Sequence, residues 1–160
     1  MSLRKTLPED IEQIIASGDV EAVARAVARC EIGAYLRGAV YEPRLMHFPA
    51  SEEITDFLLA RGEDINSRDR YQRTPIHARV RSRCLDQIPM LIARGGDINA
   101  RDTSDQTALF DVVERFPVAD VSRMIAWGAD PLVVADSRVY GKATLVENAV
   151  SWQNFLDAPR

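Results

Sequence analysis

Cysteine and long apolar runs are both scarce in this chain of 160 residues. The two cysteines, Cys30 and Cys84, lie far apart and in no pairing motif, so we predict reduced thiols rather than a disulfide framework. No apolar run approaches the roughly 20 residues that span a bilayer, and the first residues lack the apolar core of a secretory signal. These absences predict a cytoplasmic protein that has no membrane segment.

Lysine is also rare, because 18 of the 20 basic residues are arginine. The chain is 46% hydrophobic and 28% charged, which is the composition of a globular protein and not of a disordered one. Its length suffices for one domain with a sizeable core.

A sequence motif occurs twice at a fixed step along the chain. Ala60–His77 is ARGEDINSRDRYQRTPIH, and Ala93–Phe110 is ARGGDINARDTSDQTALF. A third, altered start follows at Ala143-Thr144-Leu145, after a short insertion. The same step separates two sets of turn residues, namely Gly62, Gly95, Gly128 and Asp64, Asp97, Asp130. Turn residues that stay in phase with apolar ones indicate a structural repeat.

Each copy carries the signals of a pair of short helices. Thr74 and Thr107 are of the type that caps a helix N-terminus, where the hydroxyl accepts from a free first-turn amide. In the first copy we predict a helix over about Pro75–Arg81 and a second over about Leu85–Arg94. Gly95 would end the second helix in the left-handed conformation.

These features together resemble ankyrin repeats. The resemblance rests on the 33-residue period, the helix start Thr74-Pro75-Ile76-His77 and the exit Gly62-Glu63-Asp64-Ile65-Asn66, and it covers about Ser51–Val150. It implies an all-α solenoid of about five helix-turn-helix units with projecting hairpin-like loops and degenerate terminal caps. The units would span about residues 8–40, 41–68, 69–101, 102–135 and 136–158 of a single domain, 1–160.

Several positions depart from the pattern. Gln72 and Asp105 replace the turn glycine that the family has before the threonine, and Arg83 replaces another. Arg79 stands where the family has a small residue between helices. We therefore expect reshaped turns at Gln72 and Asp105, and helix packing that is looser or shifted outward in the unit that contains Arg79 and Arg83. The link Glu31–Tyr41 is too irregular to assign.

No residue pattern predicts catalysis. The resemblance makes His77 a structural residue that is hydrogen-bonded between neighbouring turns. Neither histidine nor cysteine occurs at a metal-ligand spacing, and the periodic aspartates are typical of turn acceptors. There is no glycine-rich phosphate loop and no nucleophile elbow. We predict no enzymatic activity, no catalytic residue, no metal and no cofactor.

A binding surface is the remaining expectation. The resemblance implies a concave groove lined by loop tips and by the first helix of each unit. The segment Arg61–Arg101 carries nine arginines against five acids, a net charge of +4, whereas the flanking segments each sum to −4. Arginine and tyrosine are residues that interfaces favour. The predicted partner-binding residues are Arg70, Tyr71, Arg73, Arg81, Ser82, Thr103, Ser104, Gln106, Glu114 and Arg115.

Two classes of function follow. The first is a protein-binding module whose partner has an acidic or carboxylate-bearing surface; one form of it is an inhibitor or immunity protein that masks a toxin or enzyme, as an antitoxin does. The second is nucleic-acid binding through Arg61–Arg101, which ranks lower because the whole chain carries −4. We expect a monomer that has no small-molecule substrate and no membrane partner.

Overall fold

The computed structural model describes residues 2–137 and 141–144, with side chains through residue 133. Backbone contacts divide the chain into two compact units, Met1–Asp97 and Ile98–Arg160. The single domain over 1–160 stays a prediction. The first unit contains, in order, β1 (Arg4–Thr6), α1 (Ile11–Ala16), α2 (Val20–Val27), β2 (Cys30–Tyr35), a 3-10 turn (Leu45–His47), α3 (Glu52–Arg61), α4 (Pro75–Arg81), a 3-10 turn (Leu85–Gln87) and α5 (Ile88–Ala93). The second contains α6 (Ala108–Arg115), α7 (Val118–Ala126), β3 (Val134–Ser137) and β4 (Gly141–Thr144).

The prediction of an all-α fold is wrong, because the fold is mixed α/β. In the first unit, β1 pairs in parallel with β2, which begins in register as Arg4 opposite Cys30. In the second unit, β3 and β4 form an antiparallel pair. Ala143 and Thr144 lie in β4. The rest of the predicted fifth unit, 145–158, lies outside the described residues.

The helices around the repeated motif begin and end close to the residues that the local sequence signals predict. Helix α4 spans the predicted residues, because Thr74 precedes it and Pro75 occupies a first-turn position that needs no N–H donor. The next predicted helix begins as the 3-10 turn and continues as α5. Gly95 lies beyond it with φ 90°, in the left-handed region, and its N–H donates to Ile92 O at 2.9 Å.

The core of the first unit lies among α1, α2, α3 and the turn Leu45–His47. It is formed by side chains that are almost fully buried, among them Ile11, Ile15, Val23, Leu45, Met46, Ile54 and Leu58. Burial of each such side chain contributes roughly 2 kcal/mol. This core fixes the turn Leu45–His47, and it thereby fixes the chain segment just before that turn.

The repeat in the sequence encodes the same hydrogen bonds in both units. The Asn66 side chain donates to Gly95 O at 2.9 Å and accepts from Asp97 N at 2.8 Å. Asn99 makes the equivalent pair of bonds in the next copy of the motif, at 3.0 and 2.8 Å. The Asp64 carboxylate accepts from Asn66 N at 2.8 Å, which confirms that it is a turn acceptor.

The turns that lack glycine keep the glycine conformation. Gln72, Arg83 and Asp105 have φ of 59°, 57° and 59°, in the left-handed region that costs a side chain about 1 kcal/mol. The expectation of reshaped turns is therefore wrong for the backbones of Gln72 and Asp105. At Thr107, which precedes α6, the predicted capping bond of the hydroxyl is absent.

Candidate partner-binding surface

The loop Asp69–Arg73 is built around one buried carboxylate. Asp69 Oδ1 accepts from Tyr71 N at 2.8 Å and from Arg73 N at 2.9 Å. The Asp69 backbone N–H donates to Arg73 O at 3.0 Å, so the two ends of the loop are also joined directly. Because these bonds hold both ends and the middle of the loop, it presents the Tyr71 and Arg73 side chains from a fixed backbone.

Tyr41 lies beside this loop, and its segment has the same local pattern. Tyr41–His47 is YEPRLMH, which matches YQRTPIH of Tyr71–His77 in its tyrosine and its histidine. The Arg70 N–H donates to Tyr41 O at 2.9 Å. This bond attaches the earlier segment to the loop.

His47 provides a second link between the two segments. Its Nδ1 accepts from Arg44 N at 3.3 Å, which assigns the proton to Nε2, and Nε2 donates to Arg73 O at 2.9 Å. Burial lowers the pKa of His47 below its ordinary value, although the bond to Arg73 acts in the opposite direction. The neutral ring is the form that these two bonds need.

Four side chains form what we call the aromatic–arginine cluster: Tyr41, Tyr71, Arg73 and Arg81. The two tyrosine rings meet edge to face, with centroids 5.6 Å apart and an interplanar angle of 62°. Arg73 Cζ lies 5.5 Å from the Tyr41 centroid and 5.3 Å from that of Tyr71. Arg81 Cζ lies 4.7 Å from the Tyr41 centroid, and its Nη2 donates to the Tyr41 hydroxyl at 2.8 Å. Each cation–π contact of this kind is worth about 0.5–1 kcal/mol at an exposed site.

A cleft of about 270 Å³ opens beside the cluster. Prolines and Phe48 supply its apolar lining, while two arginines and two carboxylates supply its charge. The lining residues are Glu12, Tyr41, Pro43, His47, Phe48, Pro49, Asp69, Arg73, Ala78, Arg81 and Ser82. The cleft thus combines apolar surface with charged groups, as binding sites commonly do.

Arg79 is fully buried on the same helix as Arg81, at 0% exposure. Its Nη1 donates to His47 O at 2.8 Å, whereas Nε and Nη2 have no hydrogen-bond partner in the described part of the chain. Burial lowers the pKa of Arg79 to about 10. The Arg79 guanidinium is thus enclosed in the protein, and the expected looser or outward-shifted packing of its helix stays a prediction.

The predicted residues fall into two groups. In the first unit, Tyr71, Arg73 and Arg81 belong to the cluster, and Ser82 lines the cleft. Arg70 is exposed and contributes its backbone N–H. The other predicted residues are in the second unit. Gln106 is half-buried there, and the exposed residues are Thr103, Ser104, Glu114 and Arg115. Arg115 also pairs with Asp111 at 3.2 Å.

Tyr41 is the cluster member that the sequence analysis missed. The signal was present, since Tyr41 and His47 have the same mutual spacing as Tyr71 and His77. The step between the two pairs is shorter than the period of the repeat, so a search at that period does not find this copy.

Several arginines of the basic segment Arg61–Arg101 form ion pairs or hydrogen bonds within the protein. Arg94 pairs with Asp56 at 2.6 Å, and Arg101 pairs with Asp105 at 2.6 Å. Arg61 pairs with Glu63, and Arg68 Nη1 donates to Gln72 O at 2.7 Å. Intramolecular contacts thus occupy much of the positive charge.

The fold and the site can be set beside known proteins. Neither a family model nor a curated protein matches this chain. Among the described residues, no helix has the length and apolar character needed to cross a membrane. The resemblance to ankyrin repeats stays a prediction that rests on the quoted motifs.

Proposed function

We propose that this protein is a non-catalytic binding module whose partner is another protein, which contacts the aromatic–arginine cluster. The observation that carries the proposal is the cluster itself. Four large side chains from the 41 and 69–73 segments and from α4 meet beside a cleft. Tyrosine and arginine are the residue types, with tryptophan, that dominate the binding energy of protein interfaces.

The rigidity of the loop favours this function. Binding costs about 0.5–1.5 kcal/mol for each flexible side chain that becomes ordered. Here, Arg73 and Arg81 are already held against the tyrosine rings, and the loop backbone is held by Asp69. Binding of a partner would therefore cost less side-chain and loop entropy, because these groups are already ordered in the free protein.

The alternatives have less support. Nucleic-acid binding needs arginines that can neutralise phosphates, and several in Arg61–Arg101 are held in ion pairs or on carbonyls. Inhibition of a toxin or enzyme stays a prediction within the protein-binding class. We place the function in the cytoplasm, where the free thiols of Cys30 and Cys84 would remain reduced.

The test compares matched double variants. Tyr71→Ala with Arg73→Ala removes half of the cluster, and Ser104→Ala with Gln106→Ala changes the equivalent positions in the next copy of the motif. A partner is first isolated from source cells on the wild-type chain, then purified, and its Kd is measured by calorimetry. We expect the first variant to bind about tenfold more weakly or worse, because a central interface residue contributes about 1–3 kcal/mol.

The Ser104/Gln106 variant tests the predicted binding residues of the second unit; if the cluster is the interface, this variant should bind within about twofold of wild type. The Ser104/Gln106 variant should unfold near the wild-type temperature, whereas the Tyr71/Arg73 variant should lose about 1–2 kcal/mol with its two cation–π contacts, so affinities are measured well below both unfolding temperatures. Equal affinity of the Tyr71/Arg73 variant and wild type would place the interface elsewhere.

A further inference from the structure

The Tyr41 hydroxyl and the Arg81 guanidinium keep unused hydrogen-bonding capacity beside the cleft. The hydroxyl accepts from Arg81 Nη2 at 2.8 Å, so its own hydrogen is available to another acceptor. In the described part of the chain, Arg81 makes no ion pair with a carboxylate, and Tyr41 OH donates to no acceptor. Both groups line the cleft.

From this geometry we infer that the cleft binds an aspartate or glutamate side chain of the partner protein, within an extended acidic segment. Arg81 would donate to the carboxylate through its remaining N–H groups, and Tyr41 would donate through its hydroxyl. Arg73 holds both tyrosine rings and acts as a positioning residue. The inference rests on the proposed function and assigns the chemistry of the partner.

The charges of the cleft select a carboxylate over a phosphate. Glu12 and Asp69 line the same cleft as Arg73 and Arg81, so the lining carries two positive and two negative charges. A dianionic phosphate would meet repulsion from both carboxylates, whereas a single carboxylate needs only one arginine. The Asp69 charge is partly compensated by the two backbone N–H groups that it accepts from.

The apolar lining adds a second requirement. Pro43, Phe48 and Pro49 present hydrocarbon surface within the same 270 Å³ as the charged groups. This surface suits an apolar side chain two positions from the acid, since alternate side chains of an extended segment point to the same face. The preferred occupant is therefore an acidic residue close to a Leu, Ile, Val or Phe.

The experiment uses short blocked peptides, acetylated and amidated, so that only side chains carry charge. Eight peptide pools are used. Each has Glu, Gln, phosphoserine or Lys fixed at one position and either Leu or Ser at the second position after it, and the remaining positions are random. Binding to wild type, Arg81→Gln and Tyr41→Phe is measured by fluorescence anisotropy. We expect wild type to prefer Glu with Leu, Arg81→Gln to lose about tenfold, and Tyr41→Phe to lose a few-fold.

Each contrary outcome overturns the inference. Phosphoserine pools that bind more tightly than Glu pools would show a phosphate site. A preference for Glu that survives in Arg81→Gln would show that another group binds the acid, and a lack of preference for Glu would exclude a carboxylate site.

The result is separable from a failure of the proposed function. Suppose that the full-length partner binds Arg81→Gln normally but loses affinity for the Tyr71/Arg73 double variant. The cluster is then the binding surface, but the cleft is not a carboxylate site. If the partner binds the double variant normally, the proposed function itself fails.

Discussion

The loops Asp69–Arg73 and Asp102–Gln106 have the same backbone and different tips. In both, the first aspartate donates its N–H to the carbonyl of the last loop residue, at 3.0 and 2.9 Å. Its carboxylate accepts from the second and fourth following N–H groups, at 2.8 and 2.9 Å in the first loop and at 2.8 and 3.2 Å in the second. In both, the fourth residue is left-handed with φ 59°.

The difference lies in what the shared backbone carries. Tyr71 and Arg73 of the first loop contact an aromatic ring from another segment, whereas Ser104 and Gln106 occupy the same positions in the second loop. The comparison separates two roles: the aspartate determines the loop, and the tip residues determine what can bind to it. Matched changes in the two loops therefore test each role.

The largest effect is expected when the aspartates are removed. Asp69→Ala removes a buried carboxylate and leaves two half-buried N–H groups without their acceptor, so we expect a loss of about 2–3 kcal/mol in the free energy of unfolding. Asp102→Ala should cost about 1 kcal/mol, since Asp102 is only half-buried and water can reach its donors. Urea unfolding of both variants measures the difference.

Asparagine at the same positions is the control, because its side-chain oxygen can still accept from both N–H groups. Asp69→Asn should retain most of the stability that Asp69→Ala loses. Equal losses for alanine and asparagine would mean that the charge, and not the acceptor, builds the loop.

Local signals in the sequence predicted the parts of the fold that depend on neighbouring residues. The bounds of α4 follow from Thr74 and Pro75, and the end of the next helix follows from Gly95, because these residues act on the adjacent turn. The aspartate of the Gly-Glu-Asp turn, Asp64, acts in the same way.

The parts that were missed depend on distant residues. Strand β2 pairs with β1 across both helices α1 and α2, and the two short strands have no alternating pattern to indicate a sheet. Tyr41 enters the cluster because it meets Tyr71 and Arg81, which both lie far from it along the chain. No window of neighbouring residues contains such a contact.

The threonines that follow the two loops should differ in their contribution to stability. Thr74 Oγ1 lies 3.0 Å from His77 Nδ1 in a buried site, whereas the buried Thr107 hydroxyl has no hydrogen-bond partner among the described residues. We expect Thr74→Val to cost about 1 kcal/mol and Thr107→Val to be neutral or to stabilise by up to about 1 kcal/mol. Thermal unfolding of the two variants measures this difference in stability. A similar loss in both would show that the Thr107 hydroxyl is bonded in solution.

The smallest effect concerns the left-handed residues Gln72 and Asp105. Glycine adopts this conformation without the side-chain penalty of about 1 kcal/mol, but it loses roughly 0.5–1 kcal/mol more conformational entropy on folding, so Gln72→Gly should stabilise the protein by up to about 0.5 kcal/mol. Asp105→Gly should gain less, because it also removes the half-exposed ion pair with Arg101 at 2.6 Å. Gln72→Ala is the control and should give no gain, since alanine keeps the penalty. Chemical unfolding with a common m-value resolves differences of this size; if Gln72→Gly were no more stable than Gln72→Ala, the left-handed backbone would not be strained.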